Sequence, residues 1–325
     1  MKKFLTVLIV FVLILAAFTF AVNALYLYQQ NQVADTMSPM RSSDAAIRDV
    51  PQGIEVACFG SSHALLGIDF EDFEQDYVCF NFGQASQFLS YDDRLLQHYL
   101  NHFEPGATVL ITISHFSLFG KPDTEYDNFA ALNKRYYKVL PDDLIKQYDA
   151  KTDFFVTKFP SLAAEDALSL FSMLIGRNHP NTEWENNTNP EQAAVNAENR
   201  YKTFVESKRA TDGSRLYNQE EIEALYHMIA LCQENGLRPV LITTPYLSEY
   251  MDQIRENDPA FFHDFYGLIN EITSKTGVPY FDFSSDDRFA DKYEFFHDVD
   301  HLNRDGARLL TGIIFHEVMA LKGSS

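Results

Sequence analysis

The sequence predicts an α/β fold: a parallel sheet, doubly wound by helices into three layers. Two observations carry this. Five short apolar runs (residues 54–59, 77–82, 108–113, 239–243 and 278–283) each close on or near Gly, Ser or Pro. Continuous apolar character over so few residues is the mark of strands buried on both faces. Between and after them, residues 90–102, 220–232, 261–276 and 304–321 space their apolar residues at helical intervals. Strands alternating with helices give a parallel sheet. Such sheets bind ligands at the carboxyl ends of their strands.

The chain opens differently. Lys2 and Lys3 precede an apolar run from Phe4 to about Val22, and no charge follows until Asp35. That length is closer to the ~20 residues of a spanning helix than to the ~7–15 of a secretory core. The two lysines place the N-terminus in the cytoplasm, and Tyr26 and Tyr28 fall where an interfacial aromatic belt would lie. Residues 1–28 are therefore expected to be an N-terminal membrane anchor, single-pass at the cell membrane. A signal peptide cleaved near Val22-Asn23-Ala24, giving a secreted product, is the alternative. Either way the rest works outside the cytoplasm. Residues 29–51 are polar and read as a stalk, leaving 52–325 for the α/β domain. From about 120 to 217 the strand–helix rhythm breaks. A helical pattern at 163–175 and a polar stretch at 178–199 suggest a mostly helical insertion, acting as a lid or a partner surface.

A net charge of -20 argues against nucleic acid, whose phosphates need Lys and Arg to replace their counterions. It also argues for hydrophobic attachment to the membrane. Cys58, Cys79 and Cys232 include no CxxC pair, so a zinc site built from them is not expected. Cys58 and Cys79 lie on neighbouring predicted strands, where a disulfide is geometrically allowed, but buried free thiols are the preferred reading.

Three segments carry chemistry. Gly60-Ser61-Ser62-His63 follows the first strand and can expose a hydroxyl above the sheet edge. Asn81-Phe82-Gly83 ends the second, where Gly lets backbone approach a ligand. His297-Asp298-Val299-Asp300-His301-Leu302-Asn303 precedes the last helix. Taken alone, Ser62 reads as a helix cap, and Asp300 or Asn303 as a cap of the last helix. His297, Asp298, Asp300 and His301 also have the donors of a divalent-metal site. That reading leaves the serines without a purpose and ranks below catalysis. No metal or other cofactor is expected.

The combination resembles the SGNH (GDSL-like) hydrolase superfamily. The resemblance implies a flavodoxin-like three-layer sandwich, with Ser62 as nucleophile, His301 as base and Asp298 as the acid that orients it. It implies an oxyanion site from the backbone N–H groups of Ser62 and Gly83, each such donor typically worth ~3–4 kcal/mol of barrier. Ser61 is expected to be structural, His63 a local hydrogen-bond partner that can touch substrate, and Asp300 too close in sequence to reach the His301 ring. The superfamily's third block, Gly-x-Asn, is replaced by Ser114-His115-Phe116-Ser117. This makes Ser114 a candidate oxyanion or substrate-binding group and His115 a packed loop residue. With the membrane helix, the pattern looks like the D-alanine transfer branch of teichoic acid modification (DltD-like). That implies a serine O-acyltransferase or esterase acting on an envelope polysaccharide or teichoic acid-type acceptor, partnered by a membrane-bound O-acyltransferase. A non-catalytic accessory protein that binds the polymer or that acyltransferase is the alternative.

Overall fold

A computed structural model describes residues 2–36, 47, 50–121, 133, 136, 139–149 and 187–319, with side chains described outside 26–36. It comprises two compact units: Met1–Arg48 with Asp127–Asn181, and Asp49–Tyr126 with Thr182–Ser325.

In the first unit, α1 (Lys2–Thr36) is one helix whose stretch Lys2–Leu25 is long and apolar enough to cross a membrane. Those 24 residues span about 36 Å at ~1.5 Å per residue, against a hydrocarbon core of ~30 Å. The helix runs past residue 28, so the start of the expected stalk is helical. The side chains of Tyr26 and Tyr28, the helical pattern at 163–175 and the polar residues 178–186 lie outside what is described.

The second unit is built on five parallel strands: β1 (Ile54–Phe59), β2 (Cys79–Asn81), β3 (Phe103–Thr112), β4 (Arg238–Thr243) and β5 (Tyr280–Asp282). Their order is β2-β1-β3-β4-β5. The edge strands β2 and β5 are three residues each, shorter than their apolar runs, because each has only one neighbour to pair with. The central strands β1, β3 and β4 are buried on both faces: Val56, Ala57, Cys58, Val109, Leu110, Ile111, Leu241 and Ile242 are all essentially inaccessible. The continuous apolar runs reflect exactly that two-sided burial, so the strand prediction rests on a physical cause.

The chain leaves β1 towards β2 through α2 (Ser62–Gly67), then doubles back through α3 (Leu89–Tyr99) to β3. Right-handed crossovers in opposite directions put these helices on opposite faces. Accordingly α2 packs with α8 (Arg304–Glu317), while α3 packs with α5 (Gln219–Glu234), which packs with α7 (Phe261–Thr276). Between β3 and α5 lies α4 (Pro190–Arg200), and α6 (Ser248–Asn257) packs against it. Helix ends follow the expected chemistry. Asn189 caps α4 through Gln192 N–H (3.0 Å), with Pro190 in its first turn. Asn303, not Asp300, caps α8 through Gly306 N–H (2.9 Å).

All three cysteines are free thiols. In the β1–β2 register Cys79 faces Val56 and Cys58 faces Asn81, so the two sulfurs are not opposed. Burial pushes each thiol up to about 12, which leaves them protonated and unreactive near neutral pH.

Candidate active site

The strand ends place the site. Gly60, with φ of +139°, turns the chain sharply from β1 into α2. A Cβ there would meet Thr112 backbone and side chain at 3.0 Å, so only glycine suits the turn. The turn is tied from below by a buried carboxyl: Gly60 N–H donates to Asp92 Oδ1 (3.0 Å), and the Gln87 amide bridges Asp92, Gly60 O and Phe82 O. Burial holds Asp92 well above the usual carboxyl range, against hydrogen bonds from Gln87 and Gly60.

Ser62, the first residue of α2, projects its Oγ to within 2.8 Å of His301 Nε2. His301 Nδ1 lies 3.0 Å from both oxygens of Asp298. Asp298 Oδ1 is further fixed by the backbone N–H groups of Asp300 (3.0 Å) and His301 (2.9 Å). The loop before α8 thus folds around its own carboxylate, which is why the Asp-x-x-His spacing works: three residues let one Asp cap the turn and meet the imidazole. With Nδ1–H donating to the Asp298 carboxylate, Nε2 is left to accept from the Ser62 hydroxyl.

Sequence reasoning missed Arg200. From the end of α4 it donates to Asp298 Oδ2 (2.9 Å), pairs with Asp300 Oδ1 (3.0 Å), and brings Nη2 to 3.1 Å from His301 Nδ1. Its signal was weak: one arginine directly after a polar stretch without periodicity. A π-helical turn, Tyr201–Val205, follows it directly, the kind of irregularity found at functional positions. Asp300 also departs from expectation. Its Oδ1 reaches 3.3 Å from His301 Nδ1, because the tight loop turns residues 298 and 300 to the same side.

The charges balance accordingly. Burial alone would raise Asp298, but His301 and Arg200 outweigh it and hold that carboxyl far below its usual range. Burial alone would lower His301, but Asp298 and Asp300 outweigh it and raise it. The atoms of His63, Asp300 and His301 lie within 4.8 Å of one another, a spacing that suits a metal ion. The Arg200 guanidinium supplies positive charge at that point.

The remaining predicted residues form a second, buried arrangement. His63 Nδ1 is 2.8 Å from Ser114 Oγ and 3.3 Å from Ser61 Oγ, and its Nε2 is 3.5 Å from Asp300 Oδ2. Its ring stacks on His301 with centroids 4.8 Å apart. Ser114, expected as an oxyanion or substrate-binding group, is fully buried and engaged with His63. Gly83, expected as an oxyanion donor, is likewise engaged within the fold. Its N–H donates to Asn81 Oδ1 (2.9 Å) and is not free for an oxyanion. The glycine is needed for another reason: a Cβ would strike Leu65 N at 2.5 Å and Ala64 Cβ at 2.8 Å, so it lets α2 settle against β2. His115 is packed, as expected, among Tyr246, Phe262 and Phe265.

Residues 179–306 match the family model described as "DltD protein". Over that segment the chain is similar to DltD proteins. The matched segment contains Arg200, Asp298, Asp300 and His301 and stops short of Ser62 on the N-terminal side. A solved structure of a candidate acylhydrolase from Bacteroides fragilis is also similar. It is 12% identical, with a TM-score of 0.40, over 86% of this chain and 94% of that one. Comparison with curated proteins finds no match.

Proposed function

We propose that this DltD-like chain is an extracytoplasmic, membrane-anchored serine O-acyltransferase or esterase acting on a cell-envelope polymer. The observation that carries the reading is the unbroken relay Ser62–His301–Asp298, with links of 2.8 and 3.0 Å. The DltD relationship supports an esterase- or acyltransferase-type function on envelope polymers, and α1 supports a single-pass anchor.

In this reading His301 Nε2 takes the Ser62 proton as Oγ attacks the acyl carbonyl carbon. Collapse of the tetrahedral intermediate expels the donor's leaving group, which receives that proton from His301. An acyl ester on Ser62 remains. An acceptor hydroxyl, or water in the esterase case, then gives its proton to His301 and attacks the ester, and Ser62 leaves with the proton. Asp298 stabilises the imidazolium at both steps. Arg200 is a positioning residue: it fixes the Asp298 carboxylate and balances Asp300. A membrane-bound O-acyltransferase is the partner that this reading implies.

One observation favours a second reading, a non-catalytic accessory protein that holds the polymer or the acyltransferase. With Gly83 N–H engaged by Asn81 and no third-block Asn, the oxyanion site is less furnished than the superfamily's. Ester content of the envelope separates the two. Cells carrying only Ser62→Ala or His301→Ala protein, at normal abundance, should lose the modification. Retained modification in both would favour the accessory role.

A further inference from the structure

Beside the relay lies an open cleft of about 610 Å³ that none of the chemistry above uses. Its walls come from α4, the residues before it, and the loop that carries Asp298. Gln192 and Asn196 face it from successive turns of α4, presenting amides that both donate and accept. Thr188 Oγ1 and His297 Nδ1 are buried in its walls and have no hydrogen-bond partner among the described residues. Buried polar atoms in that condition cost stability unless something meets them. Val195 lines the same cleft and is 61% exposed, an apolar surface amid polar ones. The only formal charges on the lining are negative, Glu191 and Asp298, and no Lys or Arg is among the lining residues.

We infer that this cleft is the seat of an uncharged, hydroxyl-rich acceptor chain, a glycan or polyol, lying next to the relay at Asp298. The inference rests on the acyltransfer reading and names its acceptor class. Amides, a hydroxyl and an imidazole match sugar hydroxyls, which donate and accept in equal measure. Val195 matches the apolar face of a sugar ring. Asp298 is already paired with Arg200 (2.9 Å), so a polyphosphate chain would meet the Glu191 carboxylate and no cation among the lining residues, on a protein of net charge -20. One imidazole separates Asp298 from Ser62, so a chain of several units seated in the cleft has the reach to present a hydroxyl at Ser62.

Calorimetric titration of the full-length Ser62→Ala chain in zwitterionic micelles tests this, using chitotetraose as the neutral probe and poly(glycerol phosphate) as the charged one. Because Ser62 is already removed, the result does not depend on whether that serine reacts. Serine reactivity of the wild type is a separate measurement and can fail separately. Chitotetraose should bind. Gln192→Ala with Asn196→Ala should weaken it about tenfold or more, the loss of two neutral hydrogen bonds. Both residues are on an accessible helix face, and an unchanged melting temperature checks the fold. Val195→Asp, on the same helix, should weaken the neutral probe by a different route. No binding of chitotetraose, binding indifferent to all three substitutions, or tighter binding of poly(glycerol phosphate) through the same residues would each overturn the inference.

Discussion

Two serine–histidine–aspartate arrangements stand side by side in this molecule, and they differ in what surrounds them. In Ser62–His301–Asp298 the serine is half-buried, every link is 3.0 Å or shorter, and the carboxylates raise the imidazole. In Ser114–His63–Asp300 the serine is inaccessible, the carboxylate link stretches to 3.5 Å, and burial lowers the imidazole. On the proposed reading, the same three residue types yield a base in one place and a neutral packing group in the other. Residue type does not decide the role; access for a substrate and the distance to the carboxylate do.

The sharpest way to break the comparison is to remove one imidazole from each. His301→Ala should cut the reaction of Ser62 with an acyl analogue by ~10³-fold or more. His63→Ala should leave reactivity far closer to wild type and mainly lower the melting temperature. Equal losses would mean that the two arrangements act as one.

Next in size is the charge balance around His301. Burial would lower this imidazole, Asp298 and Asp300 raise it, and Arg200 lowers it again. Arg200→Met removes a lowering influence, so His301 stays protonated to higher pH. The acid limb of the pH–rate profile should move up, with an added fall in the plateau as Asp298 loses its 2.9 Å bond. Asp300→Asn should move the limb down. Shifts in the same direction for both would contradict the balance described.

Gly83→Ala tests whether that glycine serves packing. Its Cβ would overlap α2 backbone at 2.5 Å, and overpacking of this kind costs ~1–3 kcal/mol. Chemical denaturation should show the loss. A stable Gly83→Ala protein with depressed reactivity would return the residue to a direct role.

The smallest effect is on stability against pH. Burial, helped by His63, lowers His115 from 6.5 to about 4. Between those values the unfolded chain holds more protons than the folded one, so stability should rise with pH across that window. His63, lowered too, adds to the slope. His115→Leu should flatten the curve of melting temperature between pH 4 and 6.5. An unchanged curve would show that His115 is not buried in its neutral form.

The parallel sheet was legible because two-sided burial writes itself as continuous apolar runs, and the spans of β1 and α7 coincide with their patterns. The edge strands were over-read, since a run such as 77–82 stays apolar beyond the residues that pair. The meeting of Ser62, Asp298 and His301 was legible because the turn after β1 and the loop before α8 are local structures with their own spacing. Arg200 was not, because it reaches the site from an element without a strand–helix rhythm. Asp300 was discounted on adjacency, which ignores that a tight loop can turn alternate residues to one side. The engagement of Gly83 N–H by Asn81 depends on a side-chain rotamer, which no motif records.

The central claim is that Ser62, and neither Ser61 nor Ser114, is the activated hydroxyl. Full-length protein in detergent micelles, treated with a fluorophosphonate and read by intact mass, tests it directly. The account predicts one added phosphonyl group on wild type, Ser61→Ala and Ser114→Ala proteins, and none on Ser62→Ala. Undiminished labelling of Ser62→Ala, or no labelling of a well-folded wild type, would contradict it.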